Sequence, residues 1–345
     1  MAGKRHHILW KHIQNGFGTK SGKDHEIWVY RGGSEPRRTV ARKNGVENYF
    51  YGPEGSIADE TITKTENELA EFITEARQAR DGELVNPALA ATFLTLTEIR
   101  SQALQTEIPK IFIPTIAEFR KNFADRARLA KLFQSYIRAN PQELRRRTQE
   151  AFPDGTLADA VEDVLSPQLN SLIEEASERI AAEFAESFPL DEVDFVELAR
   201  SSHLEALSNN VKDTQRFNLH QNRTYRVRRF PDEMLILPDT GMMAASGSKK
   251  ASISTKHMPR AYIVLPISSS SAIVSEGDDL GARPVRIVNK LLAGCALESF
   301  VAKRDCLEHS RLMPRIGRNP TFGRPADFAR LASLSSVQEM ILKRR

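Results

Sequence analysis

The sequence predicts an α+β fold in which a helical middle packs against a small, mostly antiparallel β-sheet built from the N-terminal and C-terminal segments. Three observations predict it. Residues 26–31, Glu-Ile-Trp-Val-Tyr-Arg, are β-branched and aromatic and run into Gly32-Gly33, which reads as a strand and its turn. Apolar residues then recur at helical spacing from about residue 57 to about residue 207. β-Branched runs return at 224–230, 234–237, 262–266 and 272–274. The expected organisation is one domain over residues 1–308, β-rich over 1–55, helical over 56–215 and β-rich with one helix over 216–308. A basic C-terminal extension occupies 309–345.

Each element has its own signal. Thr39 and Val40 belong to a second extended segment, and Asn48-Tyr49-Phe50-Tyr51 runs into the turn pair Gly52-Pro53. Helices are expected over 58–80, 87–105, 116–139, 141–152, 167–187 and 191–207. Pro87 after Asn86, Pro141 after Asn140 and Pro167 after Ser166 are start signals, because proline fits the first helical position. Residues 153–165 are short and acidic. The Gly-, Ser- and Lys-containing segment 241–256 reads as an exposed loop. A late helix is expected over 283–302, and two short ones over 325–331 and 337–342.

Composition bounds the function classes. The apolar and charged fractions, 40% and 27%, are those of a globular protein. No apolar run approaches the roughly 18–20 residues of a membrane span, and Ile8-Leu9-Trp10 is too short for a signal-peptide core. Cys295 and Cys306 are too few for a disulfide framework, and Cys295 sits in an apolar stretch, so a cytoplasmic location is expected. The net charge of +4 divides unevenly: +5 over residues 1–55, −12 over 56–215 and +11 over 216–345. The basic ends either pack on the acidic middle or face a polyanion such as nucleic acid. Nothing in the sequence fixes an oligomeric state. P-loop, dinucleotide-binding, H-E-x-x-H, C-x-x-C and G-x-S-x-G motifs are all missing.

Polar residues on apolar stripes mark candidate sites. Half of the eight histidines, His6, His7, His12 and His25, fall in the first twenty-five positions. His6 and His7 lie beside Arg5 and can move protons, bind metal or satisfy a strand. Glu66 interrupts the stripe of Ile62, Leu69 and Ile73, and Arg100 that of Leu89, Phe93 and Leu96. Each needs a partner, and the economical arrangement is that they meet, as an ion pair fixing register or as a pocket floor. Asn289 interrupts Val285, Leu292 and Ala296 and reads as a loop clip or a site residue. Asp239 ends an apolar strand in Pro-Asp-Thr-Gly, where it caps a turn or lines a site. His6, His7, Glu66 and Asp239 are ligand types suited to Zn or Mn, with no ligand spacing among them.

The ordered set His6-His7, Phe17, Trp28-Val29-Tyr30, Phe50-Tyr51, Glu66, Arg100, Asp239, Leu265-Pro266-Ile267-Ser268 and Asn289 resembles the domain-of-unknown-function family numbered 4238, an uncharacterised and mainly bacterial family. The resemblance covers roughly residues 5–303. It implies one pocket built from His6, His7, Glu66, Arg100, Asp239 and Asn289, and supplies no activity. The leading expectation is a hydrolase acting on a phosphodiester or nucleic acid, with a divalent metal as possible cofactor and, by analogy, a role in phage defence. The alternatives are a non-catalytic binding or sensor module for a small anionic ligand or nucleic acid, and a structural partner protein.

Overall fold

A computed structural model describes residues 5–102, 113, 125–140, 142, 146, 149–150, 168–183, 192–232, 234–246, 250–253, 261–275 and 284–319. The chain divides into two compact units, residues 1–108 with 198–323, and residues 109–197 with 324–345. The second unit contains a helix at Arg126–Ala139, capped by the Asp125 carboxylate, whose Arg126 pairs with Glu178 at 2.9 Å. The expected helices over 141–152, 325–331 and 337–342 lie largely or wholly outside the described residues.

The first unit is α+β with antiparallel sheets. Strands β1 (Arg5–His7) and β5 (Val46–Asn48) form a two-stranded ribbon. Strand β3 (Asp24–Arg31) pairs with β2 (Thr19–Ser21), with β4 (Arg37–Val40) and with the C-terminal strand β12 (Ser299–Ala302), which pairs in turn with β7 (Leu237–Pro238). N-terminal and C-terminal segments therefore share one sheet. The other sheet orders β6 (Tyr225–Arg229), β11 (Ser271–Ser275), β10 (Tyr262–Ser268), β8 (Met243–Ser246) and β9 (Lys250–Ser252). All of β10 is buried, which is why it reads as a continuous apolar run rather than an alternation.

The helices follow their sequence signals. Helix α2 (Ile57–Gln78) starts at Ser56, whose hydroxyl accepts from the Asp59 amide at 3.3 Å. It buries Ile62, Leu69 and Ile73 as its stripe requires. Helix α3 (Pro87–Arg100) is capped by Asn86, which accepts from the amides of Ala88 and Leu89 at 3.0 and 3.2 Å. It is buried nearly all round and ends at Arg100, short of the expected residue 105. Between β1 and β2 lies α1 (Lys11–Asn15). Glycine is required at Gly16, because a Cβ there would stand 2.3 Å from the Ile267 carbonyl oxygen.

Two expectations are corrected. The late helix, here α7, spans only Val285–Cys295, and 299–302 is strand β12. Ser-Phe-Val-Ala pairs with β3, a tertiary demand that local periodicity does not reveal. The segment read as a loop carries the hairpin partners β8 and β9, in register Ala244 with Ser252. Helices over Arg126–Ala139 (α4), Glu192–Ser208 (α5) and Gln215–Gln221 (α6) lie between α3 and β6. Among the described residues no helix is long and apolar enough to cross a membrane.

Candidate functional site

Arg100 organises the first of two regions. It is 4% exposed, and its guanidinium donates to the Glu66 carboxylate, to the His7 carbonyl and, at 2.5 Å, to the Tyr51 hydroxyl. Glu66 and Arg100 thus meet, as their places on the two stripes require. The Tyr51 hydroxyl donates onward to the same His7 carbonyl at 2.8 Å. Burial pushes the Tyr51 phenol up, so it stays protonated and serves as a donor at neutral pH.

His6 joins this network through Tyr51. Its Nδ1 accepts from the Tyr51 amide at 2.9 Å, and its ring stacks on the phenol ring with centroids 4.9 Å apart. With Nδ1 accepting, the neutral ring carries its proton on Nε2, which lies 3.6 Å from the Asp59 carboxylate. A left-handed residue makes this approach possible: Tyr49 has φ of 58°, and the turn closes when the Gly52 amide donates to the Tyr49 carbonyl at 3.0 Å. The His7 ring is a different group. Burial, then the charges of Arg100, Lys11 and Arg5, hold its pKa down to about 4, so it is neutral near pH 7.

Asp239 stands near this network and does separate work. Its carboxylate accepts from the amides of Leu297, Glu298 and Ser299, each at 2.7 Å, and its own amide donates to the Ser299 carbonyl at 3.0 Å. It ties β7 to the turn that opens β12. Burial pushes its pKa up to about 6 against the pull of those three amides, and the Glu298 charge adds to the rise. Asp239 and Arg100 line one narrow cleft together with Trp10 and Phe93.

Asn289 lies elsewhere. From α7 its Oδ1 accepts from the Ile236 amide at 3.2 Å and its Nδ2 donates to the Met234 carbonyl at 2.7 Å. The structure therefore gathers His6, His7, Glu66 and Arg100 into one network, sets Asp239 on a cleft with Arg100, and puts Asn289 against a second cavity. Sequence reasoning passed over Asp59, because an acid in the first turn of a helix is an ordinary capping choice. Among the described residues no three His, Cys, Asp or Glu side chains are grouped to hold a metal ion.

The second region is the cavity that Asn289 borders. Its volume is about 890 Å³. Arg286 and Lys290 of α7 line it, with Arg304, Arg311 and Arg315 from the segment after β12, against the two carboxylates of Asp232 and Glu308. Among the described residues no carboxylate is paired with Arg286, Lys290 or Arg315. Arg304 is partly committed, donating to the Asp232 carbonyl at 3.1 Å and approaching the Met234 sulfur at 2.9 Å. The floor is His309 of helix α8 (Leu307–Ser310), 1% exposed, whose ring nitrogens lie 3.2 and 3.0 Å from the carbonyl oxygens of Arg304 and Met234. The N-terminal half of α7, with Pro284 at its cap, faces the cavity and adds the positive end of the helix dipole. Such a site attracts an anion.

Comparison with known proteins finds no matching family model, no matching curated protein and no matching solved structure.

Proposed function

We propose that this chain is a binding module that takes a phosphate-bearing anion in the basic cavity beside α7. The observation that carries the reading is the charge balance of a concave site, where among the described residues five cations face two carboxylates in about 890 Å³. Arg286, Lys290 and Arg311 are exposed and stay hydrated without a ligand, so the site exists at little cost in stability. Membership in the family numbered 4238 belongs to the same proposal, on the ordered residues given above, and so does a cytoplasmic location. The two cysteines are free, with Cys295 buried, which suits a reducing compartment.

Hydrolysis of a phosphodiester is the second reading. One observation favours it: Asp239, with its pKa raised to about 6, lines the cleft that Arg100 also lines. Three backbone amides on that carboxylate and three acceptors on Arg100 support a structural role for both instead.

The test is calorimetric titration of the full chain with phosphorylated ligands at two salt concentrations. Affinity that weakens with salt and is lost in Arg286→Glu/Lys290→Glu supports binding. Steady release of nitrophenol from a nitrophenyl phosphodiester, abolished in Asp239→Asn, would replace that reading with the hydrolase.

A further inference from the structure

We infer that the anion is a small phosphate monoester with an apolar body, of the size of a mononucleotide, and not a nucleic-acid strand. This rests on the reading of the basic cavity as an anion site. A volume of about 890 Å³ falls in the range of small-ligand pockets.

The lining divides by chemistry and by depth. Arg286 and Lys290 are four residues apart on α7 and so present two charges on one side of that helix, while Arg311 and Arg315 line the cavity from the segment after α8. Arg286, Lys290 and Arg311 are exposed, which puts the charge at the rim. Leu312 is buried and Val285 and Met234 are half-buried, which puts apolar surface deeper. A bare phosphate would use the rim and leave that apolar surface wet. A ligand with an apolar or ring-shaped body covers it, at about 25 cal/mol for each Å² removed from water. The carboxylates of Asp232 and Glu308 can accept from hydroxyls on such a body.

The same lining argues against a strand. Proteins that hold single strands stack bases on aromatic side chains, and among the described residues no Phe, Tyr or Trp lines this cavity. The His309 ring cannot substitute. Both its nitrogens face carbonyl oxygens, and its ring sits edge-on to Tyr30 at 5.6 Å. A terminal phosphate suits four side chains converging from two segments better than a diester, which would offer one charge and two ester oxygens.

The experiment is calorimetric titration of the full chain with adenosine, guanosine and uridine monophosphates, inorganic phosphate, adenosine and a short thymidine oligonucleotide. Wild type is run beside Arg286→Ala/Lys290→Ala, whose sites are exposed, and Val285→Glu, which sets a like charge at the start of α7 where an acid is tolerated. At least one monophosphate should bind about tenfold or more tighter than both phosphate and adenosine, and each variant should weaken it about tenfold or more. Equal binding of inorganic phosphate and every monophosphate would overturn the apolar body while leaving an anion site. Tighter binding of the oligonucleotide, with a steep salt dependence, would overturn the small ligand in favour of a strand. No binding of any anion would overturn the binding-module reading itself.

Discussion

Arg100 and Arg286 carry the same side chain into opposite settings. Arg100 is buried, and its guanidinium is divided among Glu66, Tyr51 and the His7 carbonyl. Arg286 is exposed and lines a cavity with four further cations. A buried guanidinium survives only if every donor is met inside the protein, so its groups are consumed by the fold. An exposed one is met by water and can exchange that water for a ligand. The difference teaches that a misplaced polar residue on an apolar stripe locates architecture first. Sites of exchange lie where polar groups still face solvent.

The largest test of this contrast is truncation of Arg100. Arg100→Ala should destabilise the chain by about 3–5 kcal/mol in urea unfolding, since it strands the Glu66 carboxylate and takes one of two partners from the Tyr51 hydroxyl and from the His7 carbonyl. A loss under about 1 kcal/mol would mean that the network is dispensable and open to another role. Next is Asn289→Ala, which removes partners from the Met234 carbonyl and the Ile236 amide. It should cost about 1–3 kcal/mol, measured the same way.

A pH series separates the groups of the buried region. His7 is depressed from 6.5 to about 4, so the folded chain binds fewer protons than the unfolded chain between those values. Its contribution is whole above 6.5 and is lost as pH falls through about 4. Asp239 is raised from 3.8 to about 6, so its contribution is whole below 3.8 and is lost as pH rises through about 6. His7→Gln should therefore flatten the loss of stability on acidification from pH 6.5 to 4, and Asp239→Asn should steepen it. Unfolding midpoints across that window decide the signs. The smallest effect belongs to the basic cavity: Arg286→Ala/Lys290→Ala should leave stability within about 0.5 kcal/mol of wild type.

Much of the first region was legible in the sequence. The Asn86-Pro87 pair marks a helix start, and the stripes through Ile62 and Phe93 put Glu66 and Arg100 on inward faces where meeting is the economical arrangement. Tyr51 was visible only within an aromatic run, because the residue that turns it inward is a tyrosine with positive φ, for which no local rule exists. The β12 strand was read as the end of a helix because its partner, β3, lies more than 250 residues earlier in the chain. The basic cavity was hidden for a related reason. Among the described residues its lining comes from Asp232 and Met234, from 285–290 and from 304–315, stretches without a shared spacing, and Arg311 and Arg315 stood in what reads as a separate basic tail.

One carbonyl oxygen in this cavity wall has a mechanical consequence. The Met234 oxygen is gripped by Asn289 Nδ2 from α7 and approached by His309 Nε2 from α8, while Arg304 holds the Met234 sulfur. Three segments are pinned at one node, as struts are at a joint. Load applied to any one of them is borne by the other two, and Asp239 clamps the far end of the same short stretch to the 297–299 turn. The wall is braced at this node as a frame is braced at a joint, and its shape is set by the fold.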